Sequence, residues 1–172
     1  MKNHIKSVAI MVCICSVMAL LLAITNHVTA PTIEKNEKEA VNKALSKVMP
    51  NGVGFEAVDI SELTLDNAVQ EVYKDANGGY VIKLKTSGYG TNMIIMCGIN
   101  ADSTISGAVC LSSNETLGYE KTYGDKFTGQ SPDGVEKIDV ISGATKTTAA
   151  YKNAIKTALD TVEILKGEGG AQ

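Results

Sequence analysis

The sequence contains no arginine and no tryptophan, and all sixteen of its basic residues are lysines. Sites for a free phosphate or nucleotide often use an arginine fork, so a reversibly held, arginine-anchored phosphate is disfavoured. Histidine is nearly missing too. His4 and His27 are the only two, and Cys13, Cys15, Cys97 and Cys110 form no C-x-x-C pair, which removes support for zinc or iron–sulfur ligation. Cys13 and Cys15 sit in an apolar run and Cys97 and Cys110 in strand-like segments, where cysteine behaves as a small buried apolar residue. No basic excess exists either: the net charge is -3, which argues against a nucleic-acid partner. No acid–base pair or nucleophile triad is evident.

A long apolar run is present. Between Val8 and Ile24 only Ser16 is polar. As a helix this run spans roughly 26 Å, and Ser7 and Thr25 can extend it towards a full hydrocarbon core. Lipid is therefore expected around residues 7–25. Lys2 and Lys6 precede the run, and beyond it the first charge is Glu34. The positive-inside rule places the N-terminus in the cytoplasm and the following domain outside. The competing reading is a cleaved signal peptide. Its site would be Val28, Thr29 and Ala30, but Pro31 would follow the cut and the run exceeds the usual signal core, so an uncleaved anchor is favoured.

The 172 residues leave about 140 for one globular domain once the anchor is set aside. Residues 33–48 carry an apolar stripe with Glu34–Lys38 and Glu39–Lys43 pairs at helical spacing, predicting a helix that starts after a break at Pro31. Pro50, Asn51 and Gly52 end it. Strands are predicted over residues 70–74, 79–86, 91–99 and 104–111, as two hairpins turning at 75–78 and 100–103. Residues 51–67 remain unassigned. Residues 112–137 read as a loop too long for a plain connection. A last helix is predicted over 147–165. The fold class is α+β, a twisted, mostly antiparallel sheet packed with helices, behind one transmembrane helix. The expected parts are an anchor over residues 1–30, a linking helix over 31–50 and a globular domain over 51–172.

Before the last helix stand Asp139, Val140, Ile141, Ser142, Gly143, Ala144 and Thr145. Small polar residues there suit turns and caps, yet the five constrained positions coincide by chance in roughly one chain of this length in a thousand. A helix start offers free N–H groups and a positive dipole end to a phosphate. Gly143 and Ala144 let the backbone approach a bulky group, and Lys146 adds positive charge.

The order resembles the flavinylation signature: Asp, two free positions, Ser or Thr, Gly, Ala, Ser or Thr. In that family a flavin transferase joins the phosphate of FMN to the last hydroxyl. With Gly88, Tyr89 and Gly90 and with Glu115, Thr116, Leu117 and Gly118, it resembles the FMN-binding domain of membrane redox complexes, above all the G subunit family of Rnf complexes. The family loop reads close to Glu-Thr-Pro-Gly-Leu-Gly; here Leu117 replaces the proline and Glu120 the second glycine. The resemblance implies FMN held covalently by Thr145. Its pocket is implied to be shaped by Ser142, Gly143 and Ala144, by Glu115 to Gly118 and by Gly88 to Gly90, with Asp139 serving flavinylation. It implies an electron-carrier subunit in a membrane complex that couples electron transfer between ferredoxin and NAD to sodium or proton movement. Other membrane and peripheral subunits and a flavin transferase would be its partners. Tyr89, Tyr119 and Tyr123 are candidates to stack on the flavin. The rivals are the related C subunit of sodium-pumping NADH:quinone reductase, an anchored flavoprotein feeding an extracytoplasmic reductase, and a non-redox binding domain.

The second hairpin also predicts a register. If Ile99 faces Thr104, Cys97 faces Ser106 and Cys110 faces Met93, leaving the thiols on one face, roughly 13 Å apart, buried and unpaired.

Overall fold

The computed structural model describes residues 2–61 and 63–169. It divides into two compact units, Met1–Asn42 and Lys43–Gln172.

The first unit is helical. Helix α1, Lys2–Val48, is continuous through Pro31, where the sequence predicted a break. A proline deletes one amide only, and the bonds on either side of it carry the helix through. Residues Ile10–His27 are long and apolar enough to cross a membrane. Their hydroxyls are satisfied locally: Ser16 Oγ donates to the Val12 carbonyl and Thr25 Oγ1 to that of Leu21, each at 2.8 Å. Such bonds remove the cost of a lone hydroxyl in hydrocarbon.

The second unit is built on a five-stranded antiparallel sheet in sequence order. Its strands are β1 (Glu56–Val58), β2 (Val69–Lys74), β3 (Tyr80–Thr86), β4 (Met93–Ile99) and β5 (Ile105–Ser112). The short edge strand β1 lies in the stretch that the sequence left unassigned. Helix α4, Thr145–Gly169, covers one face of the sheet. Its Tyr151, Ile155, Ala158 and Val162 pack with Ile82, Leu84, Met93, Ile95, Cys97 and Ile99 in the main core. On the opposite face Gly98 pairs with Gly107. A Cβ on either would come within 2.6 Å or 3.0 Å of the Val48 carbonyl oxygen, so this glycine pair makes room for the end of α1. Ala44, Leu45, Val48 and Met49 are buried there.

Residues 112–137 are not a plain loop. They fold into α2 (Glu120–Tyr123), a 3-10 turn (Gly124–Phe127) and α3 (Pro132–Glu136). Tyr123 and Phe127 fall one helical turn apart and go into the core, meeting edge to face at 5.3 Å. Ser131 caps α3 by accepting from the Gly134 amide.

The hairpin register also differs from expectation. Ile99 pairs with Ile105, and an irregularity next to it leaves Ser106 unpaired. Cys97 therefore faces Ala108, and Cys110 faces Ile95. The thiols lie two residues apart along the ladder, about 7 Å at the strand repeat, instead of four residues. Adding the strand separation still puts them beyond disulfide reach, and both are free. Cys97 is buried, whereas Cys110 is only half-buried.

Candidate functional site

Three segments meet beside the N-terminus of α4: the β3–β4 turn, the stretch after β5, and the start of the helix itself. The start is set by a tight turn, in which the Ala144 amide donates to the Ile141 carbonyl at 3.0 Å. Gly143 has φ +84°, a left-handed conformation that suits glycine in the third position of such a turn. The turn tips Ala144 into the interior and opens the helix at Thr145.

Glu115 joins the three segments. Its Oε1 accepts the Gly90 amide at 3.0 Å and its Oε2 accepts the Thr147 hydroxyl at 2.5 Å. The β3–β4 turn fits closely against it. A Cβ at Gly90 would lie 2.3 Å from the Asn114 carbonyl oxygen, and one at Gly88 would lie 2.6 Å from Glu115 Oε1. Both oxygens of Glu115 are thus committed to the protein, and the carboxylate works as a clamp.

The four hydroxyls around the turn differ. Thr148 is buried, donates to the Ala144 carbonyl at 2.9 Å and accepts the Ile141 amide at 3.1 Å. Thr147 is tied to Glu115. Ser142 is exposed. Thr145 is also exposed, and its one bond, to the Ile141 carbonyl, is long at 3.5 Å. It is an exposed, loosely held hydroxyl at the positive end of a long helix, with Lys146 next to it.

A cavity of about 430 Å³ opens at this point, within the usual size range of small-molecule sites. Of the residues that the resemblance implies for the flavin pocket, Tyr89, Glu115, Thr116, Leu117, Gly143, Ala144 and Thr145 line it. Gly88, Gly90, Gly118 and Ser142 lie outside the lining. Tyr89 and Tyr119 flank the cavity, whereas Tyr123 does not. Tyr123 is in the core, and its hydroxyl donates to the Asp139 carbonyl at 3.0 Å. The Asp139 side chain is exposed, and among the described residues no hydrogen bond reaches its carboxylate. Glu120 and Thr147 also line the cavity and were not anticipated. The departure from glycine at position 120 was the one sequence signal for Glu120.

Burial pushes the Cys110 thiol up, and its proximity to Glu120 adds to this. Burial alone pushes Cys97 up to about 12. Neither cysteine is an activated nucleophile. Among the described residues no group of side chains is suited to hold a metal ion. The site therefore offers a cavity of small-molecule size, a phosphate-friendly helix end and an exposed, loosely held hydroxyl in the cavity wall, which fit a phosphate-bearing aromatic cofactor such as FMN.

Comparison with known proteins decides the family. Residues 88–160 match the FMN-binding domain family, and residues 1–48 match the RnfG N-terminal region. The G subunit of the Na(+)-translocating ferredoxin:NAD(+) oxidoreductase complex of Acetobacterium woodii is 36% identical over 151 residues, covering 77% of this chain and 72% of that protein. The G subunit of the ion-translocating oxidoreductase complex of Methanosarcina acetivorans is 31% identical over 184 residues, covering 96% of this chain and 98% of that one. The chain belongs to the Rnf G subunit family. Another ion-translocating oxidoreductase G subunit, from Cereibacter sphaeroides, is 32% identical over 127 residues, covering 70% of this chain and 56% of that protein. The FMN-binding match contains the whole cavity lining, from Tyr89 to Thr147. The match to the N-terminal region takes the family into α1, so this member of the Rnf G family pairs a helix able to cross a membrane with an FMN-binding domain.

Proposed function

We propose that this chain is the electron-carrying G subunit of an Rnf-type ion-translocating complex and that it holds FMN as a phosphoester of Thr145. The observation that carries the attachment is the difference among the hydroxyls: Thr147 and Thr148 are engaged, whereas Thr145 is exposed in the cavity wall. The α4 N-terminus and Lys146 would hold the phosphate, while Tyr89, Leu117 and Tyr119 would flank the ring. Glu115 would act indirectly, by locking the β3–β4 turn to the helix. FMN supplies reversible electron uptake; the protein supplies its position and surroundings.

Thr145 is a site of modification, not a catalytic nucleophile, so a flavin transferase is a required partner. Residues 1–30 form the membrane anchor in this reading, residues 31–50 the linking helix and residues 51–172 the flavin domain. Lys2 and Lys6 would keep the N-terminus in the cytoplasm and put the flavin domain outside, beside the other subunits of the complex.

In-gel ultraviolet fluorescence of the denatured chain, co-expressed with a flavin transferase, tests the reading. A fluorescent band at the chain's mass is expected. A dark band, with FMN recovered only in the supernatant, would refute covalent attachment.

A further inference from the structure

Glu120 is a buried carboxyl group without a cationic partner among the described residues. It is 1% exposed. Its Oε1 accepts the Ser113 hydroxyl at 2.7 Å. Its Oε2 is shut off from solvent and has no hydrogen-bond partner. Among the described residues no lysine pairs with it; Lys83 and Lys156 are committed to Glu71 and Glu136. Leaving a carboxylate in this state costs stability. A purely structural clamp on Ser113 would not require the charge, because a glutamine oxygen accepts the same bond. The cavity that Thr145 opens into is walled in part by this residue.

We propose that Glu120 sets the redox potential of the flavin in this cavity, through the field of its unpaired carboxylate. The inference rests on the reading that FMN occupies the cavity. Electron uptake adds negative charge to the ring system. An ionised carboxylate in the wall opposes that addition and holds the potential down. The lysine of the lining, Lys146, is exposed to solvent, and among the described residues no ion pair joins it to Glu120. The Glu115 carboxylate is partly offset by the two donors it binds.

The test is a spectroelectrochemical titration of the flavinylated full-length chain in detergent. Glu120→Gln keeps the shape and the Ser113 bond while removing the charge. The equilibrium constant for one-electron reduction should rise roughly tenfold, a positive shift of about 59 mV. Glu120→Asp keeps the charge and should stay near the parent potential. If Glu120→Gln titrates together with the parent, the proposal is overturned. Should the glutamine variant not fold, redox-difference infrared spectra of the parent, labelled with 13C-glutamate, decide the matter. A glutamate carboxylate band that moves on reduction in the parent and is lost in Glu120→Asp supports the proposal; its absence from the parent, or its persistence in Glu120→Asp, overturns it. A parent chain lacking covalent flavin would refute the underlying reading as well. A flavinylated chain whose potential ignores Glu120 refutes this inference alone.

Discussion

Replacing Glu115 by alanine removes both bonds that hold the three walls of the site together. Each is a hydrogen bond to a charged acceptor, worth about 1.5–3 kcal/mol. Glu115 is only partly buried, so the lower figure applies and the loss is about 3 kcal/mol. For a chain of this size each kcal/mol lowers the unfolding temperature by about 2–4 °C, which gives a drop of about 6–12 °C. Thr147→Val deletes one of the two bonds and should cost about half as much. The double variant should unfold close to Glu115→Ala alone, because the Thr147 bond is already gone. Thermal unfolding of the full-length chain, followed by tyrosine fluorescence, reads this out: there is no tryptophan, and Tyr123 and Tyr151 are buried. Equal unfolding temperatures for the parent and Glu115→Ala would refute the clamp. Additive losses in the double variant would show that Glu115 and Thr147 act separately.

Cys97 gives a pH signature. Its folded thiol titrates near 12 against an ordinary value of 9.0, so the folded state keeps a proton that the unfolded state releases between those values. Stability should be flat in this respect below pH 9 and fall by about 1.4 kcal/mol per pH unit above it; Cys97→Ala should remove that part of the alkaline slope in denaturant melts, and an unchanged slope would contradict the assignment. Asp139→Ala should fold normally and flavinylate slowly, since its exposed carboxylate supports nothing in the fold and is free to engage a transferase; a time course of in-gel fluorescence reaching full loading at the parent rate would show it to be an ordinary surface residue. Protease added to intact spheroplasts should digest the flavin domain and leave the anchor; a domain protected until lysis would reverse the topology.

The sheet was legible because its strands carry dense β-branched and apolar residues between turn-forming clusters, and β2 to β5 lie within two residues of the predicted ranges. Pairing was less legible. The irregularity at Ser106 has no mark in the sequence, since a bulge is a backbone event that almost any residue can occupy. Together with the turn, which pairs Ile99 with Ile105 and not Thr104, it moved Cys97 from Ser106 to Ala108. The segment after β5 misled for another reason. Its glycines, serines and threonines read as loop, while Tyr123 and Phe127, the residues that pull it into the core, are few. At the site, the turn before α4 and the loop around Glu115 could be found from short motifs. Glu120 could not be weighed, because a glutamate in a polar segment looks solvated until the fold buries it. The clamp role of Glu115 also needed the third dimension, since Gly90 and Thr147 lie 25 and 32 residues away from it.

The attachment at Thr145 is tested most directly by the intact mass of the chain after co-expression with a flavin transferase, followed by peptide mapping. The parent should gain the mass of one FMN less one water, located on Thr145, and Thr145→Ala should gain nothing. An unmodified parent, or an adduct that persists in Thr145→Ala or maps to Ser142, Thr147 or Thr148, would contradict the account.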